Sequence, residues 1–341
     1  MRRNRLVAVA ALALLVLAAP FGLTLAARTQ AAAGLRLMGP QGERIVVTLP
    51  ELAKVPALDL AAACDRLAGH EGPARRLRAA NPAAMAGCAG AGERGYPFYV
   101  ELGDVLLAGA GSSRFEAQQM LAAMREALRS APSADAAAMS FRALDARAAD
   151  LAEPLRAPAL YLVGAEALAA HAPFCTGENA ARCRVETHSK RGQRLTAAGR
   201  WRGDADYLHA GIAAYREALD DAAAKSPDWV ELHILIGSAL ARLSEQMVDR
   251  RATRVLLRQA LDEYRRAAGA VEPENRSTRA LINRNVCSIR QTLAGLEIDR
   301  LGTRRAIEEC DKARTQARAL SRPSASAAGG PGGNDACGQS S

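Results

Sequence analysis

The chain has 341 residues, 49% hydrophobic but only 4% aromatic, and its 45 Lys and Arg exceed 36 Asp and Glu to give a net charge of +9. That length allows two domains with separate cores. Arginine outnumbers lysine 41 to 4, but heavy alanine and glycine use accompanies the same bias in GC-rich coding. With few aromatics to stack bases, nucleic acid is not the expected partner.

Arg2, Arg3 and Arg5 precede an uncharged run from Leu6 to Ala19 that Pro20 and Gly22 interrupt. That order is a signal peptide's, with small residues at Thr24 and Ala26 or at Ala31 and Ala33 offering cleavage sites. The alternative is an uncleaved anchor, since Leu6 to Ala26 spans 21 residues and a membrane helix needs about 20. Residues 1–33 are therefore read as signal peptide or anchor, with membrane contact through residues 6–26. Both readings place everything after residue 33 outside the cytoplasm, in the periplasm or anchored at the inner membrane and facing it. Without the three leading arginines the net charge is about +6. Of seven cysteines, Cys64 and Cys88, Cys175 and Cys183, and Cys287 and Cys310 form sequence-local pairs, leaving Cys337. In an oxidising compartment these read as disulfide candidates.

Residues 34–184 read as a small mixed α/β or irregular domain of unknown type. Strands are expected at Arg44 to Leu49 and Tyr96 to Leu107, where β-branched and aromatic residues cluster between turn formers. Helices are expected at Phe115 to Arg129, Ala134 to Leu151 and Ala157 to His171 from apolar spacing of three and four. Gly109 to Ser113 reads as a plain turn with Ser113 capping the next helix, in preference to a phosphate loop that lacks its third glycine. The tail, 321–341, has almost nothing to bury and is expected to be disordered.

From 185 to 320 the chain repeats itself. A small, aromatic, small spacing occurs at Gly211, Tyr215 and Ala218, returns at Ala260, Tyr264 and Ala267, and again at Ala306, Cys310 and Ala313. The intervals are 49 and 46 residues, a period that marks a helical solenoid. Between the copies lie helices with one apolar face: Leu232, Ile236, Ala239, Leu240 and Leu243, then Leu281, Ile282, Val286, Ile289, Leu293 and Leu296. A helix near Leu195 to Gly199 would pair with the first copy. The small residues allow two helix backbones to approach closely.

On these residues, with Trp229, Gly237 and Leu240, the chain resembles the tetratricopeptide family over about 130 residues. It departs from the family's pattern at Cys310, where an aromatic is usual, and at Val286 or Cys287, where a glycine is usual. The resemblance implies a mostly α protein whose C-terminal solenoid of helix pairs has a concave groove for peptide or protein segments. By position, Arg200, Glu231, Ser238, Arg242, Arg284, Ser288 and Gln291 would line it. It also places Cys287 and Cys310 in facing slots of the third pair, which predicts a disulfide between them.

No nucleophile elbow, His-Glu-x-x-His, Cys-x-x-Cys or phosphate loop is present in the sequence. His171, Cys175, Cys183 and His188 are zinc-type residues. Their spacings of four, eight and five match no known module, so a Cys175–Cys183 disulfide is preferred to a metal. His70, His209 and His233 lack ligand-like neighbours. Arg250, Arg254 and Arg258, with Arg265 and Arg266, form a basic stripe read first as a solvated face. The expected function is a non-catalytic, cofactor-free scaffold or adaptor that binds a protein or peptide of the cell envelope. The alternative is an enzyme or small-ligand binder in the N-terminal half, with Glu101 and Asp104 its only clustered acids and the repeats as docking arm.

Overall fold

The computed structural model describes residues 34–69, 82–90, 93–110 and 113–297, together with 304, 307, 308, 310, 311 and 315. The leader, the tail, His70, Gly111, Ser112, Ala306 and Ala313 lie outside the described residues. Among the described residues the fold is mostly helical, with one two-stranded antiparallel sheet. No described helix is long and apolar enough to cross a membrane. The chain divides into two compact units, one ending at Ala224 and the other starting at Lys225.

The first unit opens with β1 (Leu35–Met38) and β2 (Arg44–Val47), paired so that Leu35 faces Val47 and Met38 faces Arg44. Gly42, at φ 81°, supplies the left-handed residue that the connecting turn needs. Leu35 and Leu37 point into the core while Arg36 and Met38 point out, the alternation of a one-sided sheet. The strand expected to reach Leu49 ends at Val47, because Pro50 opens the short helix α1 (Pro50–Ala53). Helices α2 (Leu60–Gly69) and α3 (Pro82–Cys88) follow, joined by the Cys64–Cys88 disulfide.

The strand expected at Tyr96 to Leu107 is instead helix α4 (Tyr96–Ala110). Its buried residues Phe98, Leu102, Val105 and Leu106 recur at helical spacing, whereas a strand would have presented Pro97, Tyr99, Glu101 and Gly103 together. Pro97 stands in the first turn, where its missing N–H costs nothing. Glu101 and Asp104 consequently sit on a helix, not in a loop, and Asp104 is ion-paired with Arg147.

Five longer helices follow in the unit: α5 (Arg114–Arg129), α6 (Ala134–Ala152), α7 (Pro158–His171), α8 (Ala180–Arg202) and α9 (Ala205–Asp221). The Ser113 hydroxyl accepts the Glu116 N–H and the Ser133 hydroxyl the Ala136 N–H, so each serine caps the helix it precedes. Gly203, left-handed at φ 65°, closes α8, and Asp204 caps α9, which makes a two-residue turn. The most extensive packing is α4 on α5, α6 on α7, α7 on α8 and α8 on α9. The second unit holds α10 (Pro227–Glu245), capped by Ser226 with Pro227 in its first turn, α11 (Arg250–Ala270), capped by Asp249, and α12 (Arg276–Glu297). There α10 packs on α11, and α11 on α12.

Candidate functional site

A polar cleft of about 460 Å³ lies in the first unit, between α6 and α8 over a floor from α7. Arg142, Asp145 and Asp150 line one wall, Arg182, Glu186, Lys190 and Arg194 the other, and Leu168 and His171 the floor. Each wall is a stripe because its residues recur every three to five positions, one helical face.

Asp145, 4% exposed, accepts from Arg194 Nε at 2.7 Å and Nη2 at 3.3 Å, a two-pronged bridge from α6 to α8. The bridge passes over Gly164 of α7, where a Cβ would stand 2.7 Å from Asp145 Oδ1. Lys190 donates to Glu186 at 2.6 Å, and this bond holds the Glu186 carboxyl below its usual range. Arg142 and Arg182, both exposed, have no ion-pair partner among the described residues. The walls thus offer two free guanidinium groups beside one free carboxylate, Asp150.

At the floor, His171 Nδ1 and Thr187 Oγ1 share a hydrogen bond of 3.1 Å. Burial, with Arg142 adding to it, lowers the His171 pKa to about 4. The Thr187 hydroxyl satisfies this buried ring nitrogen. The Cys175–Cys183 disulfide ties the segment after α7 to the first turn of α8. His171, Cys175 and Cys183 offer ligand atoms within 4.8 Å of one another. Of the four zinc-type residues, His188 stands apart, its Nδ1 2.9 Å from Glu217. With both sulfurs joined to each other, no thiolate is offered to a metal.

The repeat residues meet as glycine and aromatic pairs. A Cβ on Gly192 of α8 would fall 2.5 Å from the Tyr215 ring of α9, and one on Gly237 of α10 would fall 3.0 Å from the Tyr264 ring of α11. Tyr215 and Tyr264 are 2% and 1% exposed, and Ala218, Ala260 and Ala267 are fully buried beside them. Gly211 approaches α8 so closely that a Cβ would stand 2.6 Å from Thr196. In the third position Cys287 and Cys310 are joined, with Cα atoms 5.1 Å apart. Gly192 and Tyr215, Gly237 and Tyr264, and Cys287 and Cys310 are separated by 23, 27 and 23 residues. Gly103 of α4 stands in the same relation to Met124 of α5, with its added Cβ 3.0 Å from the sulfur.

None of the residues expected to line a groove is among those that line this cleft. Arg200 is exposed near the end of α8, Glu231 and Arg242 are exposed on α10, and Arg284 and Ser288 are exposed on α12, with Gln291 half-buried. Ser238 turns inward to the Tyr264 hydroxyl at 2.7 Å, and Arg242 is paired with Glu245 at 3.1 Å. In the basic stripe, Arg265 pairs with Asp262 and Arg266 with Glu263. His209 is exposed, while His233 is buried with Nδ1 2.5 Å from Glu263. Leu281, expected on an apolar face, is 41% exposed. Of the cleft residues, the sequence singles out His171 and Cys183 by residue type, but not the Asp145–Arg194 bridge, whose partners lie 49 residues apart and carry no motif.

No protein-family model and no curated protein matches the chain.

Proposed function

We propose that this is an exported, non-catalytic helical-repeat protein that holds a segment of another envelope protein in the cleft between α6 and α8. The observation that carries the reading is the cleft's construction. Its walls are the first helices of two successive pairs, α6 with α7 and α8 with α9, so the concavity is itself a groove between neighbouring helix pairs. Such a groove can follow an extended chain. The buried Asp145–Arg194 bridge fixes the distance between the walls, and Arg142 and Arg182 at the rim supply charge-assisted donors for a partner's carboxylates or carbonyls. Three disulfides fit an oxidising compartment, and the basic, apolar leader points to the periplasm.

The double substitution Arg142→Glu and Arg182→Glu tests this, because both side chains are exposed and neither carries the fold. Mature protein immobilised on beads should recover a defined partner from an envelope extract of the parent organism, and the double variant should lose it. Equal recovery by both would remove the cleft from the account. A second reading, a small polar ligand in the same cleft, is favoured by its position in the N-terminal unit and its convergent charges. It predicts that a small molecule from a filtered extract, not a protein, is released from the purified chain on denaturation.

A further inference from the structure

A second cavity, of about 440 Å³, opens between α1, the start of α5, the α6–α7 turn and the end of α8. Its floor is apolar: Leu121, Leu160 and Val163 are 3%, 7% and 3% exposed. Its rim is cationic, with Arg114, Arg156 and Arg202 all exposed. Among the described lining residues the one carboxylate, Glu51, is already held by Lys54 at 2.5 Å. Arg114 and Arg156 have no ion-pair partner among the described residues, and Arg202 donates to the Tyr207 hydroxyl at 3.3 Å. Arg156 stands at φ 48°, a left-handed conformation that costs a non-glycine residue free energy. Its turn is held by the Ala157 N–H bond to the Ala152 carbonyl at 2.9 Å. Backbone strain of this kind concentrates at functional positions.

We propose that this cavity binds an anionic amphiphile, a single alkyl chain seated on Leu121, Leu160 and Val163 with its carboxylate or phosphate held by Arg114, Arg156 and Arg202. The volume lies within the roughly 300–1,000 Å³ range of small-ligand pockets. A free inorganic anion would leave the apolar floor wet, and a neutral chain would leave the three guanidinium groups of the rim without a counter-charge. Only a ligand with both parts satisfies both surfaces. The site is separate from the α6–α8 cleft and does not depend on its reading.

Calorimetric titration of the full chain tests the proposal, with decanoate and decyl phosphate below their micellar concentrations as probes and 1-decanol and inorganic phosphate as controls. Both anionic probes should bind, with each control at least about tenfold weaker. Arg202→Ala and Arg156→Gly should each weaken decyl phosphate by roughly tenfold. The glycine relieves the left-handed φ, so that variant remains folded and its loss of binding reports on the headgroup contact. Binding of decyl phosphate unchanged in both variants would overturn the proposal. So would inorganic phosphate binding as tightly as decyl phosphate, which describes a plain anion site. Binding confined to phosphatidylglycerol vesicles, with none of the monomeric probes, would also overturn it, since it describes a membrane-docking face.

Discussion

The Tyr264 ring lies flat against the place where Gly237 has no side chain, 3.0 Å from where a Cβ would be, and its hydroxyl bonds Ser238 at 2.7 Å and Asn285 at 3.0 Å. One side chain thereby ties α11 to both α10 and α12. Replacing Tyr264 by Ala should cost about 3–5 kcal/mol, the range for deleting a buried aromatic. Tyr264→Phe keeps the ring and should cost about 1–2 kcal/mol through two lost hydrogen bonds. A reversible urea melt decides. A loss under about 1 kcal/mol for the alanine variant would show that the ring is not buried.

Gly237→Val probes the same contact from the other side. The added Cβ meets an aromatic ring held at both ends and cannot be absorbed by rotation, so overpacking should cost about 1–3 kcal/mol. In the double variant Gly237→Val with Tyr264→Ala the valine occupies the vacated space. Its total cost should therefore be less than the sum of the single costs, and strict additivity would mean that the two residues do not touch.

Much of this arrangement was legible in the sequence because it is local and periodic. The small, aromatic, small spacing around Tyr215 and Tyr264 is a property of one helix face, and Ser113 announces a helix start by side-chain chemistry alone. What was not legible depends on distant pairing. Asp145 meets Arg194, and Arg125 meets the carbonyls of Val55 and Pro56, through contacts that no spacing encodes. The α4 segment failed for a different reason: Tyr96, Phe98, Tyr99 and Val100 suggest a strand by residue type, but the apolar period over the whole stretch is helical.

The Cys287–Cys310 bond should appear as a crosslinked peptide in a non-reducing digest analysed by mass spectrometry. Its removal by a double serine substitution should cost about 3 kcal/mol for a loop of this length. A predominant link from either residue to Cys64, Cys88 or Cys337 would contradict the pairing.

Arg125, 9% exposed, donates to the Val55 carbonyl at 2.7 Å and the Pro56 carbonyl at 3.0 Å, pinning the chain after α1 to α5. Burial holds its pKa below the usual arginine range. Arg125→Met should cost about 2–4 kcal/mol by leaving those carbonyls without donors. It should also accelerate amide exchange across residues 52–58. Unchanged exchange there would mean that the loop is held by other contacts.

The half-buried Glu166 and the buried His171 should give opposing pH dependence. Glu166 accepts the Glu51 N–H at 2.9 Å, yet burial raises its pKa from 4.5 to about 7. The unfolded chain loses this proton first, so the group's contribution is present below 4.5 and is lost as pH rises to about 7. His171 is depressed from 6.5 to about 4, so its contribution is present above 6.5 and is lost as pH falls to about 4. Each slope is at most about 1.4 kcal/mol per pH unit. Relative to the parent, the slope of stability against pH between 4 and 8 should therefore be more positive in Glu166→Gln, which loses a falling contribution, and less positive in His171→Asn, which loses a rising one. Parallel curves for all three proteins would show that neither group titrates as described.

The binding account turns on which surface meets the partner. A photoreactive benzoylphenylalanine placed in turn at positions 142, 182 and 216, in protein produced by the parent organism, reads this directly, because Arg142 and Arg182 line the cleft while Arg216 is exposed on α9. The account predicts that positions 142 and 182 crosslink to one and the same segment of a single envelope protein and that position 216 does not. Crosslinking that is equally strong at 216, or that reaches unrelated proteins from 142 and 182, would contradict it.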